Sequence, residues 1–182
     1  MPAADEQHLI RGAQEGDQMS FRVLIERYAK QAYNIAFSFV RNHQDAEDIA
    51  QEACIRAFRS LPSFRGDAQF STWLYRIVVN LSLNAMKSGR RRQQHELSIA
   101  NVDGGGSDHH HDSLDVMEHF ERALHALPTL QRAVVILRHV DGLSTRQVST
   151  ILKCSEGTVK THLFRGLRKM RERLSFLRED LR

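Results

Sequence analysis

The chain is poor in the residues that staple a fold together. Two cysteines occur in 182 residues, Cys54 and Cys154, a hundred positions apart and without a CxxC partner. This argues against a disulfide scaffold and fits a reduced cytosol. No apolar run approaches the length of a signal-peptide core or a membrane span, so the expectation is a cytoplasmic protein with no direct membrane insertion. Clean two-residue alternation of apolar and polar residues is missing throughout, which leaves no strand to predict. A catalytic constellation is missing as well. Cys154 has His162 eight residues on, but no third orienting group follows, so the chain is expected not to be an enzyme and to need no cofactor. The formal charge of +4 is modest, which makes its distribution more telling than its total.

What the chain does have is helical spacing. Leu9 and Ala13, then Phe21, Leu24, Ile25 and Tyr28, then Ala32, Ile35, Ala36 and Phe39 recur at steps of three and four, as amphipathic helices require. Ile49, Ala53 and Ala57 continue the pattern until Pro62 and Gly66 mark a loop. The spacing predicts a long helix from about Gln69 to Ser88, stopping at Gly89. After Arg92 the composition turns polar, with Gly104-Gly105-Gly106 in its middle, and reads as a flexible tether. Helical spacing resumes with Val116, Phe120, Leu124 and Leu127. The fold class is therefore all-α, with a helical domain over 1–92, a flexible linker over 93–113 and a second helical domain over 114–182.

Charge is unevenly spread over these parts. The first twenty residues carry four acids and only Arg11, whereas Lys87–Arg92 holds four cations and no acid, and Lys153–Arg182 has nine Lys or Arg against four acids. Phe64, Phe70, Trp73 and Tyr75 are interleaved with Arg65 and Arg76 just before the first basic run. Aromatic planes can stack unpaired bases while cations hold the connecting phosphates. For Trp73 burial in the core is an equally good reading, because that is the common fate of a lone Trp.

The second domain carries a sharper pattern. Leu127-Pro128 opens a helix with Leu130, Val134, Val135 and Leu137, and Asp141-Gly142 closes it. Ser144 and Gln147 form a capping-box pair before a short helix that buries Val148, Ile151 and Leu152. A tight turn at Lys153-Cys154 follows, then the candidate N-cap Ser155 and a longer helix with Val159, Leu163 and Leu167 on one face. A short helix, a turn and a longer basic helix make a helix-turn-helix, whose second helix enters the major groove. Thr158, Lys160, Thr161, Phe164 and Arg165 lie along its first two turns, where base edges and phosphates are met.

Taken together, Asp45–Ala53, Phe64–Asn80 and Leu143–Lys169 resemble, in order, the polymerase-clamp helix, the promoter-melting segment and the terminal helix-turn-helix of bacterial RNA polymerase sigma factors of the extracytoplasmic-function (ECF) type, in the sigma-70 superfamily. The resemblance implies a transcription initiation factor that binds core RNA polymerase and promoter DNA, usually under an anti-sigma factor. It assigns Asp45, Asp48, Gln51 and Glu52 to core-polymerase binding. It assigns Arg56, Ser60, Phe64, Trp73, Ile77 and Asn80 to the minus-ten element, all but Trp73 as the lining of a flipped-base pocket, with Lys87, Arg90 and Arg91 on phosphates upstream. Thr158, Lys160, Thr161, Phe164, Arg165 and Lys169 fall to the minus-thirty-five element. Ser149 stands where many helix-turn-helix motifs carry Ala, a small change. The tract Asp108-His109-His110-His111-Asp112 is no feature of the family; His109, His110 and His111 are a weak metal candidate, since consecutive residues rarely converge on one ion. Two competing functions are a ligand-sensing dimeric regulator that binds DNA without polymerase, and an adaptor that binds polymerase but not DNA.

Overall fold

The structure, a computed structural model, describes residues 3–99 and 112–176. It forms two compact units, Met1–Arg90 with Thr150–Leu152, and Arg91–Ser149 with Lys153–Arg182. Among the described residues all regular structure is helical, and no helix is long and apolar enough to cross a membrane.

The first unit contains α1 (Ala3–Gln14), α2 (Gln18–Val40), α3 (His43–Ser60) and the start of α4 (Phe70–Ile99), with a one-turn 3-10 helix at Leu61–Ser63. Local chemistry sets the boundaries. Asp17 caps α2 by accepting from the Met19 and Ser20 backbone N–H groups, and Asn42 caps α3 through the Asp45 N–H, each filling orphan donors of a helix start. Helix α2 ends where Arg41 turns left-handed at φ 56° and its N–H returns to the Phe37 carbonyl. The core is drawn from the expected spacing: Leu24, Ala32, Ile35, Ala36 and Phe39 of α2, Ala46, Ile49, Ala53 and Ala57 of α3. Burying each of the large members contributes about 1.5–3 kcal/mol. Helix α1 docks on α2 through a hydrogen bond from the Tyr28 hydroxyl to Glu6 and an Arg27–Asp5 ion pair at 2.8 Å.

Helix α4 departs from expectation at its far end. It does not stop at Gly89 but runs to Ile99, so residues 93–99 of the expected linker are helical. A mid-helix glycine costs about 1 kcal/mol against alanine. The Arg, Gln and Glu residues that follow it are good helix formers and carry the helix past it.

The second unit contains α5 (Asp112–His125), α6 (Thr129–Val135), the start of α7 (Thr145–Leu152) and α8 (Glu156–Arg173). Helix α6 widens into a single π turn, Ile136–Val140. Helix α8 packs on α6 and α5. The close approach to α6 depends on Gly166, where a Cβ would meet Val135 Cγ2 at 2.8 Å. Ala133, Val134, Val135, Leu137, Leu143, Val148, Val159 and Met170 supply the core. Ile151 is buried as expected, while Leu152, Leu163 and Leu167 are only half-buried.

Candidate nucleic-acid interface

The aromatic stretch is split by the helix repeat into two faces of α4. Phe70, Leu74 and Val78 step inward at four-residue intervals and are buried, as are Tyr75 and Val79. Trp73, Ile77 and Asn80 occupy the outer face at i, i+4 and i+7, the first two half-buried and Asn80 exposed. This corrects the reading of four interleaved stacking aromatics. Phe70 and Tyr75 pack on Tyr28, with ring centroids 5.7 Å and 6.3 Å away, and burial pushes the Tyr75 phenol up to about 12. They are core, because only one face of a helix can look outward.

Phe64 and Trp73 remain as a half-exposed pair. Their centroids lie 5.1 Å apart, and both rest on Phe70, at 5.9 Å and 5.5 Å. Such tilted and edge-on contacts hold ring orientation beyond simple burial. The loop that brings Phe64 to α4 passes through Gly66 at φ 78°, a conformation glycine adopts without a Cβ clash. Arg56 and Ser60 are exposed at the end of α3, and Lys87 is exposed on α4. Arg90 and Arg91 are carried on the helical backbone of α4; their side chains lie outside the described residues.

Asp45, Asp48 and Gln51 are exposed on the outer face of α3, opposite buried Ile49 and Ala53. Glu52 is half-buried and paired with Arg56 at 2.6 Å. A residue expected to face a protein and one expected to face DNA are thus ion-paired neighbours one turn apart.

In the second unit both expected caps are present. The Ser144 hydroxyl accepts from the Gln147 N–H while the Gln147 side chain accepts from the Ser144 N–H, and the Ser155 hydroxyl accepts from the Thr158 N–H. The turn between the two helices passes through Lys153 at φ 53°. Lys160, Thr161, Phe164 and Arg165 are exposed along α8, Phe164 to 67%. Thr158 is half-buried with its hydroxyl 2.9 Å from that of Ser155, and the Thr161 hydroxyl donates to the Gly157 carbonyl. Lys169 is half-buried. Arg168 pairs with Glu172 at 3.6 Å.

Both cysteines are half-buried free thiols, and burial raises the pKa of each. That is the opposite of what a nucleophilic cysteine needs. No cluster of three or more His, Cys, Asp or Glu side chains among the described residues could hold a metal; His109, His110 and His111 lie outside those residues. Two residues that spacing arguments missed are Gly166, which seats α8, and Gln14, whose side chain reaches the Phe64 loop. Neither had a signal in the sequence, because each matters only through a partner distant in the chain.

A helical unit with an aromatic loop beside an acidic helix face, joined in one chain to a helix-turn-helix, defines a DNA-binding transcription protein. The chain matches the family model for sigma-70 region 2 over residues 24–92 and that for sigma-70 region 4 over residues 117–170. It is 35% identical over 172 residues to the ECF RNA polymerase sigma-E factor of Escherichia coli K12, covering 88% of this chain and 90% of that one. Against the RNA polymerase sigma-H factor of Pseudomonas aeruginosa it is 34% identical over 175 residues, covering 88% and 89%. The fold is similar to CnrH, solved in complex with the cytosolic domain of CnrY (TM-score 0.69, 22% identity, 94% of this chain and 97% of that one). It is also similar to the sigma factor RpoE of Bartonella quintana, solved with the anti-sigma factor NepR (TM-score 0.64, 24% identity, 85% and 96%). The chain belongs to the sigma-70 family and is a sigma factor of the ECF type, a transcription initiation factor that directs polymerase to promoters.

Proposed function

We propose that this sigma factor divides its work among three surfaces while bound to core RNA polymerase in the cytoplasm, and that it performs no chemistry of its own. The outer face of α3, through Asp45, Asp48, Gln51 and Glu52, docks on the core enzyme. Phe64, Trp73, Ile77 and Asn80, with Arg56 and Ser60, receive a base unpaired from the minus-ten element, and Lys87, Arg90 and Arg91 hold phosphates upstream of it. Helix α8 reads the minus-thirty-five element through Thr158, Lys160, Thr161, Phe164, Arg165 and Lys169. The observation that carries the reading is the outer face of α4. There Trp73, with Phe64 of the loop packed against it, shares one helix face with aliphatic Ile77 and the exposed amide of Asn80, offering a base apolar walls and a group that both donates and accepts. A further partner is an anti-sigma factor: RpoE of Bartonella quintana, similar in fold, was solved in complex with the anti-sigma factor NepR.

In-vitro transcription with core polymerase and a genomic promoter library tests the reading. Specific transcripts are expected only with both proteins present, and Asp48→Lys with Glu52→Lys should weaken core binding while each unit stays folded. Tight operator binding in a gel shift without core enzyme would favour the free-standing regulator instead. Phe64→Ala and Asn80→Ala should form closed complexes but leave promoter thymines unreactive to permanganate, because a flipped base exists only once pairing is lost.

A further inference from the structure

We propose that Gln14, the last residue of α1, is a positioning residue for promoter opening, holding the turn that presents Phe64. The proposal rests on the reading of Phe64 given above. Gln14 Nε2 donates to two carbonyls at once, that of Leu61 at 3.1 Å and that of Phe64 at 2.9 Å. These carbonyls stand at the two ends of the 3-10 turn Leu61–Ser63, and the Leu61 carbonyl also receives the Phe64 N–H at 2.9 Å. A side-chain amide has two N–H donors, and here both are spent on fixing one turn. Gln14 is half-buried and Leu61 is buried, so these part-buried bonds are partly shielded from competing water.

The placement gives the clamp its effect. Behind Phe64 the chain is anchored by buried Leu61; ahead of it, residues 65–69 have no regular structure and pass through left-handed Gly66. Phe64 therefore sits where a fixed turn hands over to an irregular loop, and the Phe64 carbonyl is the last backbone acceptor that α1 holds. Helix α1 is itself tied down at its other end by Glu6 to Tyr28 and Asp5 to Arg27. It acts as a strut between α2 and the loop. Gln14 also lies ahead of the residues that match sigma-70 region 2, outside the segment in which the other minus-ten residues fall.

The test uses the full chain with core polymerase and a promoter it recognises. Gln14→Glu keeps the side chain's shape but replaces the nitrogen that carries both donors with an oxygen that repels the two carbonyls; Gln14→Met removes the donors without adding charge. The chain's one tryptophan, Trp73, packs against Phe64, so its emission reports the loop directly. Both variants should shift Trp73 emission in the free protein, bind core polymerase as the parent does, and lower permanganate-detected opening about tenfold, the loss equivalent to one or two hydrogen bonds. Tyr28→Phe cuts one of the two ties at the other end of α1 and spares the loop; because the Arg27–Asp5 pair still holds that end, opening should be unchanged. If Phe64→Ala is defective but Gln14→Glu and Gln14→Met open the promoter normally, the positioning role is refuted. If Phe64→Ala opens normally, the base-pocket reading itself falls, whatever the Gln14 variants do. Equal loss in Tyr28→Phe and the Gln14 variants would reduce Gln14 to general packing of α1 and overturn the proposal.

Discussion

In the first unit Phe64 and Trp73 are half-buried and lean on the buried ring of Phe70, whereas in the second unit Phe164 stands 67% exposed on α8. The rings proposed to face nucleic acid are thus held in opposite ways. A loop has no geometry of its own, so the Phe64 ring it presents must be oriented by packing, here on Phe70 and Trp73 and through Gln14. A helix supplies its geometry from backbone hydrogen bonds alone, and a reading residue on it can stand free. The difference matches the two tasks proposed: an unpaired base needs a pocket, while duplex DNA needs a row of side chains at groove spacing.

The largest effect that separates the two arrangements is on stability. Phe70→Ala removes a ring that is both core and support, and should cost about 3–5 kcal/mol of folding free energy. Phe164→Ala should change stability by less than about 0.5 kcal/mol, as exposed substitutions do, yet weaken promoter binding by the polymerase complex. Thermal unfolding beside filter binding checks both. A large loss of stability from Phe164→Ala would mean that the exposed ring has a structural partner.

Next in size is the way each surface discriminates. Arg165→Ala should cost about 1–3 kcal/mol of upstream-element affinity if it reads a base, and should relax preference at a single position. If Arg165 contacts only phosphate, all sites should weaken alike and the salt slope should fall by about one. Asn80→Ala should leave that slope and the closed complex untouched. Binding by the polymerase complex to a randomised upstream element at two salt concentrations separates these outcomes.

How far the sequence revealed this design differs between the units for a physical reason. The helix-turn-helix is written in local signals: Ser144 with Gln147 and Ser155 before Thr158 act within three residues, and both caps formed as the spacing predicted. The helices of the first unit were equally legible from their apolar spacing. Which aromatics face outward was not, because Phe70 and Trp73, three residues apart, differ by only about one-sixth of a turn of helix phase. The sequence alone also could not set the end of α4, since Gly89 is a weak stop among strong helix formers. Gln14 was invisible because its acceptors lie 47 and 50 residues away.

A smaller contrast concerns the helix caps. Ser144→Ala should cost the second unit about 1 kcal/mol at any pH, the usual loss for a serine cap. The cap of α2 in the first unit is a carboxylate: the Ser20 hydroxyl, then the Met19 N–H, hold the Asp17 pKa below its ordinary value. A depressed carboxylate contributes stability above its unfolded pKa of about 3.9 and loses it as pH falls through the lower folded value. Asp17→Asn should therefore flatten the acid side of the first unit's stability profile, while Ser144→Ala shifts the second unit's profile without changing its shape. Equal acid sensitivity in parent and Asp17→Asn would remove the carboxylate from the account.

The finest contrast lies at two left-handed residues, one per unit. Arg41 ends α2 at φ 56° and Lys153 ends α7 at φ 53°. A side chain in this conformation costs roughly 1–2 kcal/mol, and glycine relieves it while giving back about 0.5–1 kcal/mol as greater freedom of the unfolded chain. Lys153→Gly should thus be neutral to slightly stabilising. Arg41 is different, because its guanidinium lies 5.1 Å from the centre of the Phe37 ring, a contact worth about 0.5–1 kcal/mol. Removing that contact offsets the relief, so Arg41→Gly should be neutral to slightly destabilising. Denaturant midpoints for the two variants should move apart, with Lys153→Gly the higher relative to the parent. Midpoints that moved together would show that Phe37 does not hold Arg41, and that both helix ends are governed by backbone conformation alone.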